Sequence, residues 1–334
     1  VEQRIDTIVY QRLDELFRDG YRHGLLSAPP ELLGEIPRGA VERLLNSRLP
    51  RELDYTAADL LRTTVGTVLY GAIRRRPGQG GGLMTETTGR VALVTGSSSG
   101  IGAATARLLA ARGMRVVVNY LHSEAAADEV VAGIDAAGGQ AMALPADVRD
   151  AAAVDTLLER VRATWGEVDV LVHNALTPYA IKSFQDMTWA ELGGKLDDEM
   201  RAAFIVTKAV LPAMTEQGWG RLIYLGTGLS RRPREGMIAL GTAKAALTQF
   251  ARYLAQELGP AGITVNVVEP GPVAETRMSQ VLDEEQTRRQ IAATPLGRLA
   301  RPADVARAVA FYAGEDSSFI TGTTTAVNGG MAMY

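Results

Sequence analysis

The stretch TGSSSGIG at 95–102 and a lysine at 244, inside the run IALGTAKAALTQF (238–250), are where residue type and spacing point to chemistry. Gly96, Gly100 and Gly102 permit a tight turn and let backbone N–H groups approach an anion. The helix expected to begin near Ile101 would present unpaired N–H groups and a positive dipole end to a pyrophosphate. Ser98 and Ser99 add neutral hydroxyl donors. A dinucleotide site follows if a strand precedes the loop and a helix succeeds it. Lys244, taken alone, reads equally as a salt-bridged helix lysine.

The flanking sequence supplies that context. RVALVTG is an apolar run ending in glycine, and AATARLLAARG is helical with Gly113 as its stop. Apolar runs and helical segments then alternate: MRVVVNY, SEAAADEVVAGIDAAGG, QAMALPADV, DAAAVDTLLERVRATWG and VDVLVHNA. A long helix is expected over roughly 189–217, then GRLIYLG, a helix over 241–258, ITVNVVEPG and a last strand in TGTTTAVNGG. About seven fully apolar strands alternating with helices predict a parallel sheet covered on both faces. Right-handed crossovers make this an α/β, doubly wound fold.

Composition excludes several classes. Apolar residues at 46% and charged residues at 22% are ordinary for a globular chain. A net charge of −3 gives no strong field for nucleic acid or an anionic membrane. The absence of cysteine removes disulfides, thiol nucleophiles and Cys-based metal sites. Three scattered histidines, His23, His122 and His173, argue against a His-rich metal site. Without cysteine, a secretory signal or a long apolar span, a cytoplasmic protein is expected. The chain begins at Val1; initiator removal, a non-standard start codon and excision from a longer chain all stay open.

Residues 1–76 differ in character, being rich in Arg, Leu, Asp and Glu. Ile5, Val9, Leu13 and Leu16 recur at helical spacing, as do Leu61, Val65, Val68 and Leu69, with proline breaks between the two sets. Three or four helices are expected, either packing on the main domain or forming a docking or dimerisation module. PGQGGG begins a flexible linker over 77–87, so the main domain is expected at 88–334.

Together, TGSSSGIG, ADV (146–148), HNA (173–175), Lys244, EPGPV (269–273) and TGTTTAVNGG resemble the short-chain dehydrogenase/reductase family over roughly 88–331. The resemblance implies a Rossmann-like domain and a bound nicotinamide cofactor, with residues 1–76 as an N-terminal helical extension outside it. It implies that Asp147 and Val148 meet the adenine, and that Asn174, with Ala175 beside it, meets the central strand and cofactor. Pro270, Gly271 and Val273 fall on the nicotinamide side, Thr276 at the carboxamide or pyrophosphate, and Lys244 at the ribose. The second strand ends in Asn119-Tyr120 with no acid after it, so nothing there would repel a 2′-phosphate. Asn119, His122, Ser123 and Ser98 are neutral donors, and NADPH is expected rather than NADH.

The family's active set of Asn, Ser, Tyr and Lys is incomplete here. The serine position is Thr227, which still carries a hydroxyl. The asparagine position falls at Asp198 or Glu199, either a solvated helix face or a lining residue. The tyrosine position, four before Lys244, is Leu240. The related enoyl-thioester reductases place tyrosine seven before the lysine, and that position is Met237. Tyr179, after the fourth strand, is a displaced-donor candidate or a surface residue, and Tyr224 reads as structural. Three readings follow. One is reduction of an enoyl or keto group on a thioester-bound or polyketide-like intermediate, enoyl ahead. Another keeps the cofactor structurally and uses the cleft for cyclisation, dehydration or isomerisation, or serves as a partner subunit. The third is ketoreduction with Tyr179 as acid. The resemblance also implies a homodimer or homotetramer, and residues 1–76 could hold a docking partner.

Overall fold

The computed structural model describes residues 88–276 and 283–333. The helices expected over 1–76 and the linker at 77–87 lie outside the described residues. Seven strands form one parallel sheet in the order β3-β2-β1-β4-β5-β6-β7. They are β1 (Val91–Val94), β2 (Arg115–Tyr120), β3 (Gln140–Pro145), β4 (Val170–His173), β5 (Gly220–Leu225), β6 (Ile263–Pro270) and β7 (Thr324–Val327). The order reverses between β1 and β4, which pair with Leu93 opposite Leu171. A doubly wound sheet opens its ligand crevice there, at the carboxyl ends of the strands.

Strand side chains alternate between two cores. Leu93, Val117, Leu171, Leu222 and Val265 face one side, packed by α3 (Ala151–Trp165), α4 (Trp189–Gln217) and α5 (Ile238–Leu258). Val94, Val116, Val172, Ile223 and Val268 face the other, packed by α1 (Gly100–Ala111), α2 (Glu124–Ala136) and α7 (Pro302–Tyr312). Because both faces are covered, β1, β4 and β5 are buried at every residue. Helix α7 and the short α6 (Glu284–Ala292) were not anticipated, and α5 begins three residues before the expected position.

The long helix α4 positions the site. Thr188 caps it, its hydroxyl accepting from the Glu191 N–H at 3.3 Å while the Glu191 carboxylate accepts from the Thr188 N–H at 2.9 Å. At its far end Gly218 adopts a left-handed conformation and closes the helix. Its buried stripe runs Lys195, Glu199, Ala202, Ala203, Val206, Val210 and Met214. Two charges therefore lie on the same face as the apolar residues.

The amino ends of the strands, remote from the crevice, are clamped by charge and an aromatic ring. Trp219 sits between the guanidinium groups of Arg90 and Arg221, at 3.5 and 4.1 Å from its ring centre. Its indole N–H donates to Glu315 at 2.8 Å, and Arg221 pairs with the same carboxylate at 3.1 Å. Trp219→Ala is expected to cost about 2–3 kcal/mol, less than the truncation of a fully buried aromatic. A thermal melt lowered by several degrees, with unchanged affinity for a nicotinamide dinucleotide, is the outcome that separates this clamp from the site.

Candidate active site

A cleft of about 1020 Å³ opens at the carboxyl ends of the strands. Single-ligand pockets usually fall at ~300–1,000 Å³, so this one has room for a cofactor and a substrate together. Of the residues that the sequence singled out as catalytic or cofactor-binding, all but Gly102 and Tyr179 line it.

The glycine loop joins β1 to α1. Gly96 has φ of 61°, and a Cβ there would lie 2.8 Å from the Ala175 Cα. A Cβ on Gly102 would lie 2.6 Å from Asn174 Nδ2 and 2.7 Å from the Gly96 carbonyl oxygen. Gly102 therefore acts beneath the cleft, where it lets α1 close onto the loop. Asn174 donates to the carbonyls of Thr95 and Gly96, both at 3.0 Å, and fixes the loop from the end of β4. The Thr95 hydroxyl accepts from the Asn174 and Ala175 N–H groups, both at 3.0 Å. The resulting glycine turn, with the N-terminus of α1 behind it, fits a dinucleotide pyrophosphate. Thr276 lies against Gly100 and donates to the Val273 carbonyl at 3.0 Å.

Two of the expected cofactor residues, Asn119 and Asp147, are also bonded within the fold. The buried Asn119 amide donates to the carbonyls of Leu144 and Ala146 at 3.3 and 3.2 Å, and its oxygen accepts from the Gly96 N–H at 3.2 Å. It ties β2 to the loop, with its amide engaged by main-chain groups. Asp147 is held by Arg149 through two side-chain bonds of 3.0 and 2.8 Å. Hydrogen bonding to Arg149 keeps the Asp147 carboxyl below its ordinary range, although burial opposes this. Arg149 also reaches Asp198 at 2.9 Å. That cation lines the cleft and was missed by the sequence reading, which looked for a basic residue only after β2 and in the glycine loop.

At the other end Lys244, from the first turns of α5, is 3% exposed. Its ammonium donates to the Leu225 carbonyl at 2.6 Å and meets Glu199 Oε1 at 2.7 Å. The Glu199 contact is close as an ion pair but poorly aligned as a hydrogen bond. The other carboxylate oxygen of Glu199 accepts from Lys195 at 2.5 Å, and Lys195 donates also to the hydroxyl and carbonyl of Thr177 at 2.7 and 3.1 Å. Glu199, not Asp198, is thus the residue beside the lysine, and the solvated-face reading of Glu199 is corrected. Burial would raise its carboxyl, but Lys244 and Lys195 outweigh that and hold it at about 2. Burial pushes the Lys195 ammonium below its usual range, with Glu199 opposing. His173, fully buried nearby, is held neutral by burial at about 4.

Leu240, one turn before Lys244, is 2% exposed, lines the cleft and has no hydroxyl to offer. Thr227 lines it too. Its oxygen accepts from the Leu229 N–H at 3.4 Å, which leaves its own O–H free to donate. The turn after it is fixed by Ser230, which donates to the Thr227 carbonyl and to the buried Glu269, both at 2.8 Å. Tyr179 lies elsewhere: Lys195 sits 5.7 Å from its ring centre, and burial raises its hydroxyl above the ordinary range. It does not line the cleft, although its neighbours Thr177 and Pro178 do. Tyr224 is structural as expected, its hydroxyl 2.6 Å from that of Thr207. Among the described residues no cluster of ligating side chains could hold a metal ion, and no helix is long and apolar enough to cross a membrane.

With this geometry in hand, the comparisons are informative. A family model described as enoyl-(acyl carrier protein) reductase matches residues 96–332. The 3-oxoacyl-[acyl-carrier-protein] reductase FabG of Escherichia coli is 38% identical over 247 residues, 73% of this chain and 98% of that protein. The 3-oxoacyl-[acyl-carrier-protein] reductase of Synechocystis is 40% identical over 253 residues, 75% of this chain and all of that protein. A crystal structure of a candidate gluconate dehydrogenase from Agrobacterium tumefaciens superposes with a TM-score of 0.71 at 27% identity, over 75% of this chain and 98% of that one. The chain belongs to the short-chain dehydrogenase/reductase family, a family of nicotinamide-dependent oxidoreductases.

The buried carboxylate makes a pH prediction. Its folded value of about 2 lies below the ordinary 4.5, so its stabilisation is complete above pH 4.5 and is lost as pH falls towards 2. Glu199→Gln is expected to be less stable at pH 7, by about 3 kcal/mol or more, because two buried ammonium groups lose their partner. Denaturant melts should show the gap between wild type and variant closing as pH falls from 4.5 to 2. A gap independent of pH would show that the carboxylate is not charged in the fold.

Proposed function

We infer that the protein reduces the carbon–carbon double bond of an acyl thioester, with NADPH as reductant. The observation that carries this is Leu240 at the wall of the cleft, beside a lysine clamped by Leu225 and Glu199. Reduction of a ketone makes an alkoxide and calls for a positioned acid. Reduction of an enoyl thioester makes an enolate, whose charge is spread towards the thioester oxygen and needs donors more than an immediate proton. The relatives described as 3-oxoacyl-[acyl-carrier-protein] reductases support a carrier-bound thioester substrate but point to its keto group, while the description of the family model supports the enoyl group, and Leu240 decides between them in this reading.

When bound, the nicotinamide supplies hydride. The chain's own groups do the rest. Thr227 donates to the enolate oxygen. Lys244 orients the cofactor ribose and, with Lys195, leaves one net positive charge beneath the cleft after Glu199 is counted. The α-carbon takes its proton from water. NADPH over NADH rests on the missing acid after β2, with Ser98, His122 and Ser123 as neutral donors along the adenosine end. A dimer through α4 and α5 is part of the reading, since Phe204 and Tyr253 on those helices are 55% and 63% exposed.

The test follows NADPH absorbance with the crotonyl and the 3-ketobutyryl thioesters of N-acetylcysteamine. The expected outcome is faster turnover of the crotonyl substrate, and a fall of about 10²-fold in kcat for Thr227→Val. Preferential use of the keto substrate would overturn the enoyl assignment. Tight NADPH binding with neither substrate consumed would favour a non-redox use of the cleft.

A further inference from the structure

Between β5 and α5 the chain reads Arg231-Arg232-Pro233-Arg234. Arg231 approaches the buried Glu269 at 3.6 Å. Arg232 and Arg234 line the cleft, and both are exposed. Neither has an acidic partner within ion-pair distance among the described residues. Arg232 donates only to a main-chain carbonyl, that of Met331, at 2.8 Å. Pro233 between them restricts the backbone, so less freedom is lost when both side chains close on a ligand. The acids that line the cleft, Asp147 and Asp198, are engaged by Arg149 at the adenosine end. The walls next to the arginines are apolar: Leu229, Leu240, Pro272 and Ala293.

The rim therefore carries two uncompensated positive charges above an apolar, half-open channel that leads to Thr227 and Lys244. The cofactor's own phosphates cannot account for them. Its pyrophosphate belongs at the glycine loop and its adenosine end at Asn119–Ser123, on the other side of the cleft. We propose that Arg232 and Arg234 form a subsite for the phosphate of a pantetheine-type arm that carries the acyl thioester. Guanidinium forks match phosphate oxygens in pairs. The apolar channel would take the acyl group while the charged end of the arm stays at the rim. This rests on the thioester-reductase reading above, and it adds a recognition element that acts on the carrier rather than on the reacting bond.

The experiment compares two probes by calorimetry on the full chain saturated with NADP+, which has no hydride to give, so that binding is read without turnover: crotonyl-pantetheine 4′-phosphate and crotonyl-pantetheine. Wild type is expected to bind the phosphorylated probe about tenfold more tightly, the equivalent of 1.4 kcal/mol. In Arg232→Ala/Arg234→Ala that ratio should fall below about twofold, and in the double lysine variant to an intermediate value. Raising salt from about 0.05 to 0.5 M should shrink the wild-type ratio without any variant, because rim charges are screened. Equal affinity for the two probes in wild type, or a ratio that survives the double alanine variant, overturns the proposal. Crotonyl-coenzyme A and a crotonyl-loaded carrier protein share the phosphate, and both should lose affinity in the variant. A loss confined to the carrier protein would place the arginines in protein docking and overturn the phosphate subsite. Turnover of the N-acetylcysteamine thioester, which has no phosphate, tests the reductase reading separately.

Discussion

The site depends on one buried carboxylate shared by two buried ammonium groups. Glu199, Lys195 and Lys244 are each no more than 3% exposed, and they tie α4 to α5 across one face of the sheet. Bringing three charges out of water is costly, and their attraction offsets that cost only where geometry is good and the remaining N–H groups are bonded. Thr177 and the Leu225 carbonyl provide those bonds. The arrangement fixes where Lys244 can point, which hydrophobic packing alone would not do. It also makes the helix crossing intolerant of change: removing the carboxylate leaves two like charges facing each other in a region of low dielectric.

The rest of the sheet is secured by other contacts. The β1–α1 loop is held by Asn174 and Asn119, whose amides serve the backbone and leave main-chain N–H groups for a ligand. The Arg90–Trp219–Arg221 stack and Asp169, which accepts from the Val91 N–H at 2.8 Å, secure the amino ends of the strands. The rigid sheet thus presents a preorganised cradle at one side of the crevice and a charged floor at the other.

Much of this was legible in the sequence. Apolar runs alternating with helical segments define the parallel sheet, because strands buried on both faces lose the polar alternation of an exposed one. The bounds of α4 agree with the expected 189–217. Helix α7 was missed although Pro302, Val305 and Val309 carry the start signal and spacing of a helix. Lys195 was missed, and Glu199 was left undivided from Asp198, for a different reason. Single charged residues on a helix usually face water, and a carboxylate at 198 or 199 does not announce which of the two turns inward. The signal was the phase: Glu199 lies three, four and seven residues before Ala202, Ala203 and Val206, all buried. For Tyr179 the residue type was visible in the sequence and its direction was not.

Loss of the tyrosine changes what the remaining charges can do. In an arrangement with tyrosine, a neighbouring lysine cation lowers the phenol's pKa and readies it as an acid. With leucine in that place, there is no phenol for the lysine to act on, and most of the Lys244 charge is already balanced by Glu199. What remains in the structure is the positive charge of Lys195 and Lys244, shared with Glu199, and the Thr227 hydroxyl at the wall of the cleft. A diffuse field suits a delocalised anion better than a localised alkoxide, because a spread charge gains from several moderately placed donors and dipoles while a compact one demands a proton at a single atom. The substitution of Leu240 is therefore coherent with the carboxylate at 199, and together they describe a site reorganised around charge rather than proton donation.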